Sequence, residues 1–212
     1  MIDNFYAKVL VIVLFKNEIL LKQHWMQNNI LQERMKNSNI IKCVLIGDDM
    51  VGKTSLLITY SSNIFPHVYV PSVLDTYVVN VNIENDTYRL GLYDTASQYD
   101  YENNLIDADI FIVCFSLNSS TSLQNVDKIW IPKLEHFNSK ASILLVGLQS
   151  DVKKDILSIK ANQIAQQKQL KYIECSAKTN NGVNNVFNQS ILIFLNKNKS
   201  LCEKIISTCI LL

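Results

Sequence analysis

"IGDDMVGKT", residues 46–54, places Gly47 and Gly52 close together in a chain with only 5 glycines in 212 residues. The stretch has the spacing G-x-x-x-x-G-K-[ST]. Its surroundings are those the spacing requires, since the apolar run "IIKCVLI" leads in and the helix-like "SLLITY" leads out. Glycines let successive backbone N–H groups turn inward around an anion without Cβ clashes. A helix beginning there adds positive partial charge. Lys53 then supplies a mobile cation for β- and γ-phosphates, and the Thr54 hydroxyl can ligate Mg2+. Asp49 is out of character, because a loop built for phosphate oxygens should avoid carboxylates. A chance match in an unrelated loop is the alternative, and the flanking strand and helix weigh against it.

Downstream of this loop, apolar runs alternate with helix-like stretches. Strands are expected over residues 40–46, 76–83, 87–94, 109–116, 142–148 and 171–175, and helices over 53–60, 122–137, 158–169 and 183–196. "ENDT" between the second and third strands reads as a hairpin turn. Near-continuous Ile/Val/Leu runs belong to strands covered on both faces, as in parallel sheets. The expectation is therefore an α/β fold of the P-loop NTPase class: a six-stranded, mostly parallel sheet, helices on both faces and one antiparallel edge strand.

Composition narrows the classes. A net charge of +1 gives no global reason to expect nucleic acid as a partner. Cys43, Cys114, Cys175, Cys202 and Cys209 form no Cys-x-x-Cys pair, so neither a zinc site nor a disulfide framework is supported, and a reducing, cytosolic setting fits best. The apolar run "VLVIVLF", residues 9–15, is far shorter than the roughly 20 residues that span a bilayer. Residues 1–39 differ in character from the rest. With Met35 just before the first strand, they are either a genuine extension or a start-site or gene-model error. They receive no function.

Two further strand ends carry base-reading chemistry. "LLVGLQSD" closes at Asp151, and "ECSAK" closes at Ser176, Ala177 and Lys178. A carboxylate is acceptor-only, so it can take both N–H donors on one edge of guanine, a pair that adenine lacks. Singly, each reads as a turn aspartate or a capping serine; the order of the two is what points to a base site. Asp94 ends the strand that should meet the phosphate loop, placed to hold magnesium through water.

At these residues the chain resembles the Ras-like small GTPases, and within them the Rho family, especially its Rac-like members. The likeness runs from about residue 40 to 196 through "IKCVLIGD", "GKTSLLITY", "FPHVYVPSVLDTY", "YRLGLYDTA", "WIPKLEHF", "LLVGLQSD" and "KYIECSAKT". It implies a G domain over 40–196 that binds GTP/GDP with Mg2+. Phosphates would be held by Gly47, Asp49, Met50, Val51, Gly52, Lys53, Thr54, Ser55 and Ser97. The metal would be held by Thr54, Ser72 and, via water, Asp94. Gln149, Asp151, Ser176, Ala177 and Lys178 would read guanine, with Gln149 beneath the base and the Ala177 N–H on its carbonyl. Gln98 would orient the attacking water. Tyr69, Ser72, Val73, Leu74, Asp75 and Tyr77 would form the effector-facing switch.

Residues 197–212 form a tail ending "STCILL", in which Cys209 and the final Leu212 resemble a prenylation box. The resemblance thus implies a lipid-anchored monomer on the cytoplasmic face of the plasma membrane or an endomembrane. Its partners would be effector proteins, exchange factors, and a GDI or GAP, with no nucleic acid among them.

Several positions depart from the family pattern. Asp49 stands where the family has glycine, bordering the γ-phosphate and catalytic water, and its bulk and charge should crowd the transition state and any inserted arginine finger. Ser97 replaces the glycine after "DTA", and Tyr99 a usual glutamate, in a second switch about four residues shorter than in relatives. Leu148 replaces a usual Thr or Asn, and no room exists between Asp151 and Ser176 for the extra helix of Rho proteins. Three functions follow: a switch with slow or GAP-insensitive hydrolysis, a normally cycling GTPase, or a pseudo-GTPase interaction module.

Overall fold

A computed structural model describes residues 40–67, 76–83, 85–95 and 105–210, with residues 76 and 200–210 as backbone only. The chain divides into two units, Met1–Ile40 and Ile41–Leu212. Of the first, only Ile40 lies within the described residues, and the fold below is that of the second.

Its elements in order are β1 (Ile41–Ile46), α1 (Lys53–Ser62), β2 (Thr76–Ile83), β3 (Asp86–Asp94) and β4 (Ile110–Ser116). Then come α2 (Ser120–Asn125), a π-helical turn (Val126–Trp130), α3 (Ile131–Asn138) and β5 (Ser142–Leu148). A short 3-10 turn (Ser150–Val152), α4 (Asp155–Gln167), β6 (Lys171–Glu174) and α5 (Val183–Ile210) complete the unit. The six strands form one sheet in the order β2-β3-β1-β4-β5-β6. β1 pairs in parallel with both β3 and β4, and β2 alone is antiparallel, at the edge against β3. This is the architecture that the strand–helix alternation predicts.

Every residue of β4 is buried, as a central strand covered on both faces demands. On one face, Val44, Phe111, Val113, Phe115 and Leu145 pack against Leu123, Leu134, Leu157 and Ala161 from α2, α3 and α4. The other core includes Leu56 and Leu57 of α1 and Val186, Phe187 and Ile191 of α5, all buried. There Tyr60 stacks on Phe187 with ring centroids 3.8 Å apart. Full burial of each phenylalanine contributes about 1.5–3 kcal/mol. These two layers hold the sheet rigid beneath its carboxyl edge.

Two helices differ from expectation. The helix foreseen at 122–137 runs from Ser120 to Asn138 and contains the π turn, in which the Ile131 N–H reaches back five residues to the Val126 carbonyl. The last helix does not stop at residue 196 but continues to Ile210, because no Gly or Pro interrupts the chain after Gly182. Between Asp151 and Ser176 lie the remainder of the 3-10 turn, α4 and β6. Among the described residues, no helix is long and apolar enough to cross a membrane.

The strand order reverses direction at β1, whose neighbours β3 and β4 lead away to opposite sides. Ligands of open parallel sheets bind at the carboxyl ends of the strands at such a switch point. β1, β3, β5 and β6 all deliver candidate residues to that edge.

Candidate functional site

The loop after β1 turns through three residues with positive φ: Gly47 at 144°, Met50 at 60° and Gly52 at 110°. At Gly47 the requirement is steric as well, since a Cβ there would lie 2.0 Å from the Cys114 carbonyl oxygen of β4. Only glycine lets the loop leave β1 so close to the neighbouring strand. Gly52 begins α1 without any side-chain cap, and no acidic residue follows in the first turn. Neither a side-chain cap nor an acidic residue thus competes with an external acceptor at the start of α1. Lys53 is 4% exposed, and its Nζ donates to the carbonyls of Gly47 and Asp48, both at 2.8 Å. Its ammonium thus sits inside the loop's curve.

The magnesium expectation finds a donor pair. Thr54 Oγ1 donates to Asp94 Oδ2 at 2.5 Å, joining the start of α1 to the end of β3. Asp94 is buried, and its Oδ1 has no hydrogen-bond partner among the described residues. A buried carboxylate oxygen without a partner is costly, and a cation beside it removes the cost. Hydroxyl and carboxylate oxygens are hard ligands of the kind Mg2+ takes, so the residues present fit that ion. Among the described residues, no cluster of three His, Cys, Asp or Glu forms an all-protein cage. Next to Asp94, Thr95 Oγ1 donates to the Leu45 carbonyl at 2.6 Å and fastens the ends of β3 and β1 together.

The residues expected to read the base also meet. Ser176 Oγ donates to Asp151 Oδ1 at 2.7 Å, which orients the carboxylate and leaves acceptor capacity on its exposed side. The Ser150 N–H donates to the Cys175 carbonyl, linking the ends of β5 and β6. Gln149 has a φ of 61°, and its Oε1 accepts from Ser116 Oγ at 2.7 Å. Leu148 is buried, and a methyl built on Gly52 would meet its Cδ1 at 3.7 Å. Leu148 thus places its side chain beside Gly52, bringing the end of β5 next to the start of α1. Ala177 is half-buried, while Lys178 is exposed.

The remaining candidates fall as follows. Val51 is buried, Ser55 is half-buried in the first turn of α1, and Met50 is 84% exposed. Asp49 is exposed, and no described residue pairs with its carboxylate. Tyr77 lies in β2 opposite Leu92. Tyr69, Ser72, Val73, Leu74, Asp75, Ser97 and Gln98 lie outside the described residues, and Cys209 lies on the backbone-only part of α5. Burial pushes the thiols of Cys43 and Cys114 far up, and that of Cys175 up to about 12, so all three are core residues with no thiolate chemistry.

Sequence reasoning passed over Asp48. Its carboxylate faces away from the loop's concave side: Oδ2 accepts from Asn125 Nδ2 and Oδ1 from the Trp130 indole, each at 2.7 Å. Of the two adjacent aspartates, one is thus bound to the helix and the other is open to solvent. A family model described as the Ras family matches residues 42–195 of this chain.

Proposed function

We propose that this chain, which belongs to the Ras family, is a Rho-like switch that holds GTP and cleaves it slowly. Its fold is that of a Ras-like P-loop G domain, and the family establishes a small GTP-binding switch. In the proposed reading, the N–H groups from Gly47 to Thr54 and the Lys53 ammonium take the phosphates, while Asp151, held by Ser176, takes the guanine edge. Thr54 and Asp94 would hold Mg2+, which would supply positive charge against the charge developing on the transferred phosphoryl group.

The observation that carries slow hydrolysis is Asp49. Its carboxylate is exposed, with no partner among the described residues, on the loop where the resemblance puts the γ-phosphate and attacking water. A negative charge there opposes the charge that builds on the transferring phosphoryl group. Two unit charges about 5 Å apart near a protein surface repel by about 3 kcal/mol, a factor of roughly a hundred in rate if fully expressed in the transition state. The same side chain would hinder an arginine finger, which makes stimulation by an activating protein weak. Effector binding through the residues around Ser72 to Tyr77, and membrane tethering through a prenylated Cys209, complete the proposal. They rest on the resemblance of those stretches.

Single-turnover hydrolysis of GTP by the wild-type chain and by Asp49→Gly tests it. Acceleration of about tenfold or more in the variant supports the reading. Equal rates, with the wild type responding fully to an activating protein, would point to a normally cycling GTPase.

A further inference from the structure

We propose that Asn125 and Trp130 are positioning residues for the phosphate loop, acting through Asp48 to hold it ready for nucleotide. The inference rests on the reading of the loop as a guanine-nucleotide site. Asp48 is pinned from both sides. Its backbone carbonyl accepts from Lys53 Nζ at 2.8 Å, and each of its carboxylate oxygens accepts from one helix-borne donor at 2.7 Å. Both outer donors are uncharged, so they fix the direction of the carboxylate and leave its charge in place. Hydrogen bonds to a charged group are the stronger kind.

The π turn explains how one carboxylate reaches both donors. Five residues apart on an α-helix, two side chains point about 140° away from each other. Val126–Trp130 is wound instead with a bond from the Ile131 N–H to the Val126 carbonyl, five residues back. That winding brings residues five apart to nearly the same face, so Asn125 and Trp130 converge on Asp48. The bulge costs regular helical hydrogen bonding, and the Asp48 clamp is a compensating gain visible in the structure.

The arrangement also accounts for an aspartate beside the phosphate site. Held outward, Asp48 adds no carboxylate to the phosphate face, and it stiffens the first turn of a loop that contains the strained Met50. A loop fixed in advance loses less conformational freedom on binding and releases its ligand more slowly.

The test is the dissociation rate of a fluorescent GDP from the purified full chain with Mg2+, measured beside thermal melting. Trp130→Phe keeps an aromatic ring, though a smaller one, and deletes the N–H; Asn125→Ala deletes the other donor at a half-buried position and carries the comparison if the first variant does not fold. Each should speed dissociation about tenfold. In an Asp48→Ala background, Trp130→Phe should add nothing further. Lowered melting with unchanged dissociation, or an equal effect of Trp130→Phe in the Asp48→Ala background, would show a purely structural contact and overturn the proposal. A wild-type chain that binds no GDP would overturn the nucleotide-site reading beneath it, a result separable from the others.

Discussion

Replacing Asp94 with asparagine should have opposite effects in the absence and presence of magnesium and nucleotide. In the free protein, Asp94 is a buried carboxylate with one oxygen satisfied by Thr54 and the other without a hydrogen-bond partner among the described residues. Asparagine keeps a carbonyl to accept from Thr54 and removes the charge. The penalty for a buried, unsatisfied polar group is about 1–3 kcal/mol, and greater when it is charged. Relief of about 2 kcal/mol corresponds to a rise in Tm of about 4–8 °C for a domain of this size. Asp94→Asn stripped of nucleotide in EDTA should therefore melt above the wild type. With Mg2+ and GDP at a hundred times Kd, the wild type gains about 2.7 kcal/mol, or roughly 5–11 °C. The variant, lacking an anionic ligand, should gain much less, so the order of the two melting curves narrows or reverses. Differential scanning fluorimetry in the two buffers reads this directly. A variant that melts below the wild type in EDTA, or that gains as much from Mg2+ and GDP, would refute the assignment of Asp94 to a cation site.

Two other substitutions probe the site from different sides. Ser176→Ala removes the donor that orients Asp151 and should weaken GDP binding about five- to tenfold by titration calorimetry, with little change in fold, because Ser176 is small. Gly47→Ala places a methyl 2.0 Å from the Cys114 carbonyl, so β1 and β4 must separate. Destabilisation of about 3 kcal/mol or more in urea unfolding is expected, together with lost nucleotide binding.

The fold was legible because its signals are local. Each central strand is a short Ile/Val/Leu run, and each helix after it has its own apolar spacing. The candidate phosphate loop was legible for the same reason, being nine consecutive residues of fixed spacing, and Asp94, Asp151 and Ser176 could be put forward because strand ends are visible in sequence. The Asp48 clamp was not. Its partners lie 77 and 82 residues away, and they share a face only through a π turn that no propensity announces. The extent of α5 was misjudged for a simpler reason. Asn, Lys and Ser near residue 196 resemble a stop, but each costs a helix well under 1 kcal/mol, and no Gly or Pro enforces one.

The central claim is that this chain binds guanine nucleotide and keeps it as GTP. The direct measurement is the identity and amount of nucleotide released on denaturing the freshly purified protein, by ion-exchange chromatography. The account predicts close to one guanine nucleotide per chain, with GTP in clear excess over GDP. A chain that emerges empty, carries an adenine nucleotide, or holds GDP alone would contradict it.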